Sequence, residues 1–422
     1  MSVRIPRQPN LLFVLLLSLC AVPPLAFQAN AQPDAAQAKP DAAQAKPDAS
    51  DQEKRQQAVT LFSQSKRLEA LPLLEELVQK NPRDAELLVA LGASLIDHAA
   101  TLTDPDAAAK ERFRARDLIQ KAWALGNTSP LAENLRQLLQ DLPANGAITF
   151  SDNPAVEQVM NAGEAAFAQR DFDEALTIYA KALELEPTNY SATLFTANTY
   201  DRKNDFARAS EWYQRAMRLD PDIETAFRYY ADMLAKQGDM AKARSMLIHA
   251  AVAEPYNKIV WREIRAWALI NNTAFKLVYL PIPRVAKDEG SIQVSGQPPQ
   301  LLTAWRAYHA VVADWRKGGK FEKQFPQEAY RHSLPEESEA LTAAATVLQT
   351  LRQDEKSAEL VTGNTVAGLL LKLYEAGLID PYVLFSLGDE GIARDYKAYR
   401  AANRAKLEEY MDKFVMPAPP GK

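Results

Sequence analysis

The stretch "DFDEALTIYAKALELEPTN", Asp171 to Asn189, reads as one amphipathic helix stopped by a proline. It does not stand alone. "DFARASEWYQRAMRLDPDI" begins at Asp205, and "DMAKARSMLIHAAVAEPYN" begins at Asp239, after an equal interval. Ala175, Ala209 and Ala243 fall at one position of this period. Ala182, Ala216 and Ala250 share a second, and Pro187, Pro221 and Pro255 a third. Tyr179, Tyr213 and Leu247 place a large apolar residue between the alanines. A fixed period of about 34 residues marks stacked supersecondary units. Two alanines two helical turns apart share a helix face and admit a close neighbour, while the Tyr or Leu fills the space beside them. The proline cannot continue the helix. Each unit is therefore a pair of short antiparallel helices, which must stack on its neighbours to bury its apolar face.

These offsets resemble those of the tetratricopeptide repeat family. Three units follow, at about 156–189, 190–223 and 224–257. Their first helices supply Gly163, Ala197 and Ala231 at the family's small position. Tyr200 matches the family's aromatic position, while Ala166 and Leu234 depart from it. The resemblance implies an all-α solenoid with a concave groove lined by first helices, where the family holds its ligands. By register the groove positions are Met160, Glu164 and Phe167 on one first helix and Leu194, Asn198, Asp201 and Arg202 on the next. Arg228, Tyr229 and Asp232 lie on the third. They make a mixed-charge, partly apolar surface suited to an extended or helical peptide. Some family members clamp a chaperone's C-terminal carboxylates with Lys, Asn and Arg. Only Asn198 fits that pattern; Met160, Glu164, Thr225 and Tyr229 occupy the other places, so that ligand is not expected.

Outside this region the pattern loosens. From Asp51, Ala70, Leu74, Leu77 and Pro82 keep the second-helix offsets, and Leu88, Leu91, Gly92 and Leu95 fit the next first helix. Ala115, Ile119 and Ala122 fit a second helix if about eleven residues are inserted before them. "LAENLRQLLQDL" reads as a further helix and "PANGAITFSDNP" as a break. After Pro255, "KIVWREIRAWALINN" reads as a closing helix whose Trp261, Ile264 and Trp267 cap the stack.

The N-terminal segment 1–31 carries Arg4 and Arg7, an apolar run from Leu11 to Cys20 and "ANA" before Gln32. That is the pattern of a secretory signal cleaved after Ala31. The rival reading is a retained anchor, but the run is short and Pro23-Pro24 interrupts it. Leu19 stands where a lipoprotein signal has a small residue. Cys20 is the one cysteine, so the mature chain has no disulfide, thiolate metal site or cysteine nucleophile. The mature chain carries 47 Lys and Arg against 54 Asp and Glu, without a long basic run, which speaks against nucleic acid. Residues 32–50 repeat PDAAQAK, too poor in large apolar residues to fold. They read as a disordered tether or a plain solubilising spacer.

From about Phe275 the period is lost. "AFKLVYLPIPRVAKDEGSIQVSG" has two β-rich runs around a charged turn, the signal of a small hairpin. Leu301, Trp305, Tyr308, Val312 and Trp315 step by four and three, an apolar helical stripe ended by Gly318-Gly319. Trp305 and Trp315 are either core or a platform for a sugar or peptide. Ser333, Pro335 and Glu336 read as a capped helix start beside a surface His332. "AELVTGNTVAGLLLKLYEAG" and "IARDYKAYRAANRAKLEEYMDKFV" give two more helices, and "PAPPGK" a tail. The four histidines, His98, His249, His309 and His332, fall in no HExxH or paired metal-ligand motif, and no nucleophile elbow or phosphate loop occurs.

The expected organisation is a signal at 1–31, a linker at 32–50, irregular helical repeats at 51–150 and regular repeats at 151–274. A mostly helical domain of unassigned family follows at 275–422. The expected function is an exported repeat scaffold for a protein or peptide, without catalytic residues, metal or cofactor. No integral membrane span is expected in the mature chain, and peripheral association with the envelope is open. Two rivals stand beside it: an envelope enzyme of hydrolase type with its site in 275–422, and a structural envelope component.

Overall fold

Each regular repeat turns on an aspartate. Asp171 accepts a hydrogen bond from Glu174 N at 3.2 Å, and Asp205 one from Arg208 N at 3.2 Å. Each satisfies an amide that the first helical turn leaves unpaired. The computed structural model describes residues 49–102, 104–140, 149–282 and 298–418. The expected signal, nearly all of the linker, the second run of the hairpin and the end of the tail lie outside the described residues. The chain divides into two compact units. The first runs to Pro221 and includes Thr225–Gly238; the second comprises Asp222–Glu224 and Asp239 onward.

The first unit holds α1 (Ala49–Ser63), α2 (Arg67–Lys80), α3 (Ala85–Thr101), α4 (Pro105–Ala124) and α5 (Pro130–Gln140). It continues with α6 (Pro154–Ala168), α7 (Phe172–Leu185), α8 (Tyr190–Arg202) and α9 (Phe206–Leu219), and contains α10 (Glu224–Lys236) from Thr225 on. Pairs α3–α4, α6–α7 and α8–α9 pack closely, and α6 also packs on α3. The repeat columns are the core. Ala175, Tyr179 and Ala182 are fully buried, as are Ala209, Tyr213 and Ala216, with Ala197 and Ala231 beside them. Tyr200 is half-buried under Arg208. Pro187 and Pro221 are not buried, as chain-stopping residues at a surface turn need not be.

The irregular half uses the same contacts. A side chain at Gly163 would collide with Tyr179, and one at Gly92 would press on Ile119. The second pair is further apart in the chain than the first by the length of the insertion, which lengthens the connection without changing the packing. Ala115, Ile119 and Ala122 are all fully buried. Arg170, Asn204 and Gly238 recur at the repeat period and share a left-handed turn conformation, with φ of 66°, 59° and 82°.

The second unit contains α11 (Met240–Ala253), α12 (Lys258–Ile270), α13 (Leu302–Lys317), α14 (Lys320–Gln324), α15 (Leu334–Gln353) and α16 (Ala358–Gly363). It ends with α17 (Thr365–Glu375), α18 (Ile379–Ser386), α19 (Glu390–Ala393) and α20 (Tyr396–Tyr410), the last running into a π turn at Met411–Val415. α15 is its hub, packed by α13, α17 and α18. Ala243, Leu247, Ala250 and Pro255 are buried here. Helices α11 and α20 are bound by Tyr396, whose hydroxyl donates to Val252 O at 2.7 Å, and by Arg400, which donates to Ala253 O. Arg244 Nη2 donates to Asp412 Oδ1 at 2.7 Å and Nε to Met416 O at 2.9 Å. The compact units therefore divide within the third repeat, not near residue 275.

Several local expectations change. Trp261 does not end a stack toward solvent; its ring meets Phe385 edge-on at 6.0 Å within the second unit, while Ile264 is fully buried and Trp267 half-buried. Ser333 makes no cap. Asp395 Oδ2 accepts from Leu334 N at 2.8 Å instead, so the start of α15 is satisfied from across the unit. The segment from Ala358 is two helices, because Asn364 accepts from Val366 N and Ala367 N and begins α17 afresh. Residues 275–282 form no strand; Leu280 N donates to the Tyr382 hydroxyl. Among the described residues no helix is long and apolar enough to cross a membrane.

Candidate functional site

The ten positions expected to line a groove are carried by α6, α8 and α10, but most are interior. Met160, Glu164, Phe167, Leu194, Asn198, Asp201, Arg228 and Tyr229 are buried; Arg202 and Asp232 are half-buried. Arg228 is 0% exposed. It is not the surface residue that a groove position implies. Register fixes the face a side chain occupies but not what covers that face.

Buried charges need partners, and the structure supplies several of them. Glu164 accepts a hydrogen bond from the Tyr179 hydroxyl. Burial pushes its carboxyl up to about 8, although Tyr179 and the charge of Arg112 pull the other way. Burial lowers Arg112 to about 10, opposed by Glu164 and Glu157. Asp201 pairs with Lys236 at 3.3 Å, linking α8 to α10. Asp232 is raised by burial and drawn back by Arg228 and Lys236. The Arg228 guanidinium lies over the Tyr229 ring at 4.8 Å. Tyr190, at the start of α8, accepts from Ala226 N at 3.3 Å and ties the repeats at the other end.

Beside the C-terminal ends of α6 and α8 lies a cleft of about 490 Å³. Lys66 comes from the α1–α2 turn, Arg67 from the start of α2, Asp97 from α3, Phe167 from the end of α6, Arg170 from the α6–α7 turn and Phe172 from the start of α7. Arg202 closes it. Arg67, Asp97, Arg112 and Arg170 were not legible as site residues. Arg67 and Asp97 come from the irregular pairs, where no repeat offset points to them. Arg170 falls at the turn position that Asn204 and Gly238 share, so its period was the available signal.

In the second unit His332 is half-buried and held between two carboxylates. Nδ1 lies 2.8 Å from Asp389 and Nε2 3.0 Å from Glu337. Burial alone would lower His332, but these hydrogen bonds outweigh it and raise it to about 9. Glu337 also accepts from Tyr308, and fully buried Glu336 from Tyr330 and Arg316. His332 is thus an internal ion-pair member, not a surface histidine beside a cap. Trp305 and Trp315 are buried in the helix stripe, with Trp315 Nε1 donating to Glu339 at 3.0 Å. Among the described residues no cluster of His, Cys, Asp or Glu is arranged to hold a metal ion.

The tetratricopeptide repeat family model matches residues 160–224 and 197–256. A search of curated proteins found no match. Among solved structures the chain is similar to a crystal structure of MamA, at 16% identity over 47% of this chain and 94% of that one, with a TM-score of 0.24. It is also similar to MamA from residue 41 to its end from Desulfovibrio magneticus RS-1, at 16% identity over 50% and 98%, TM-score 0.24. YrrB, described as a TPR protein with an unusual peptide-binding site, is 15% identical over 50% and 90%, TM-score 0.25. Residues 160–256 belong to the tetratricopeptide repeat family.

Proposed function

We propose that the chain is an exported, non-enzymatic repeat scaffold that binds a protein or peptide through the inner face of its helical repeats. The observation that carries this reading is the pair Arg202 and Asp232. They sit on consecutive first helices of family-type repeats, half-buried and of opposite charge, where their deeper neighbours are interior. Stacked repeats present such faces to extended partners. Export rests on the N-terminal pattern of a charged start, an apolar run and a small-residue site. The mature chain then begins at Gln32. N-terminal sequencing of the native protein that finds Met1 retained would remove export.

The rival is an enzyme in residues 275–422, and His332 with Glu337 and Asp389 is its best constellation. Co-purification from an envelope extract with cross-linking and mass spectrometry separates the two. A stoichiometric protein partner cross-linked to α6, α8 and α10 supports the scaffold. Cell-wall fragments retained instead, and lost in His332→Ala, would support the enzyme.

A further inference from the structure

Arg67 starts α2, and its side chain is 8% exposed. Its guanidinium lies over the Phe62 ring at 5.0 Å, and Nη1 reaches Asp97 Oδ2 only at 3.4 Å. Nε is buried and has no hydrogen-bond partner among the described residues. Arg202 Nε, at the end of α8, is in the same condition. A guanidinium has five donors in a fixed fork, and burying one unsatisfied is unfavourable. Both arginines line the 490 Å³ cleft, together with Lys66 and Arg170. The lining itself carries two anions, Glu69 and Asp97, and Arg202 also acts on the buried carboxylate of Asp232 behind it. Glu69 is engaged by Lys66 at 3.7 Å. Burial raises the Asp97 carboxyl, while the charge and hydrogen bond of Arg67 oppose it. Among its lining residues cations outnumber anions, and two guanidinium donors are unused. One wall is apolar: the rings of Phe167 and Phe172 meet with centroids 5.4 Å apart.

We propose that this cleft receives an acidic peptide segment, its Glu or Asp carboxylate held by Arg67 and Arg202 and a neighbouring apolar side chain resting on Phe167 and Phe172. A planar carboxylate matches the guanidinium fork in two parallel hydrogen bonds. The volume lies in the range of cavities that enclose a few side chains. None of Met160, Glu164, Asn198, Thr225 or Tyr229, the residues at the family's clamp positions, lines it. The inference rests on the scaffold reading and adds the chemistry of the partner.

The test uses the full mature chain and fluorescence anisotropy with two labelled pools of short peptides. One pool combines Glu and Asp with Phe, Leu and Ala; the other replaces Glu and Asp by Gln and Asn. The acidic pool should bind about tenfold more tightly or better. Arg202→Gln should lower that affinity about tenfold, and Arg202→Lys should restore part of it. Arg67→Lys should weaken binding in the same sense, and added salt should weaken it further. Equal binding of the two pools, no binding of the acidic pool, or indifference to Arg202→Gln would overturn the inference. Displacement of both pools alike by sodium sulfate would also overturn it, as the mark of a general anion site. If a partner still cross-links to the repeats after any of these results, the acidic specificity fails and the scaffold stands. If no partner cross-links to the repeats, both fail.

Discussion

Gly163 lies against the ring of Tyr179: a Cβ on the glycine would stand 2.5 Å from Cε1 and 2.8 Å from Cδ1. Tyr179 is fully buried and its hydroxyl is bonded to Glu164, so the ring has nowhere to retreat. Gly163→Ala should destabilise the first unit by about 1–3 kcal/mol. That exceeds the roughly 0.5–1 kcal/mol that alanine contributes to a helix interior. At Gly92 the opposing atoms are Cδ1 and Cγ1 of Ile119, at 2.9 and 3.0 Å. These are the movable end of an aliphatic chain, so Gly92→Ala should come near to breaking even. Urea midpoints of the two variants measure the difference; equal losses would mean that Tyr179 yields as easily as Ile119.

Ala209 is fully buried in the column with Tyr213 and Ala216. Ala209→Leu should overpack the α8–α9 pair and cost about 1–3 kcal/mol. Lys203, on the turn, forms an ion pair with Asp173 that is largely open to solvent. Lys203→Ala should cost under about 0.5 kcal/mol. Thermal shifts of similar size for the two variants would contradict the packing register.

The recurring turn offers a test of opposite sign. Arg170 holds φ of 66° and Asn204 φ of 59°, where Gly238 holds 82°. A left-handed conformation costs an ordinary side chain roughly 1–2 kcal/mol, and asparagine less. Arg170→Gly should raise the unfolding free energy by about 0.5–1 kcal/mol, and Asn204→Gly by a smaller amount. Gly238→Ala should lower it. A loss on Arg170→Gly would mean that the arginine's contacts outweigh its backbone strain.

These positions show what could be read from the chain and what could not. The core columns follow from local spacing, because alanines two turns apart on a stopped helix have one physical use. Even the insertion was legible, since Gly92 and Ile119 keep the pairing of Gly163 and Tyr179 across a longer connection. Contacts made far along the chain left no local trace. Asp395 caps the distant start of α15 through Leu334 N. Tyr396 and Arg400 bond the carbonyls of Val252 and Ala253 and draw α11 into the second unit. The candidate site was half legible for the same reason. Period placed Arg202 and Asp232 on one face, but neither the cover over Arg228 nor the approach of Arg67 is encoded in the period.

His332 gives the second unit a pH dependence of defined sign. Its folded value of about 9 lies above the ordinary 6.5 because Glu337 and Asp389 stabilise the cation. A raised value means that the stabilisation is complete below the unfolded value and is lost as pH climbs through the folded one. Stability should therefore fall between about pH 6.5 and 9. Since His332 is partly exposed, the loss should be about 1–2 kcal/mol rather than the full amount of the shift. His332→Gln should flatten the melting temperature over this window. A wild-type melting temperature that stays level from pH 6.5 to 9 would remove the ion pair from the account.

Arg228 and Arg202 look alike by register and should behave differently on charge reversal. Arg228 is fully buried on α10, and its charge draws back the carboxyl of Asp232, which burial raises. Arg228→Glu would place a carboxylate in that interior beside Asp232 and remove the cation that compensates it. Breaking a buried charge pair in this way costs about 3–5 kcal/mol. Arg202 also draws back Asp232, but it is half-buried at a helix end, so Arg202→Glu leaves the new charge partly in reach of water. It should cost about 1 kcal/mol or less. Circular dichroism melts of the two variants decide the point. If Arg228→Glu melts with the wild type, the inner face of α10 is open to solvent, and a partner could reach Arg228 directly.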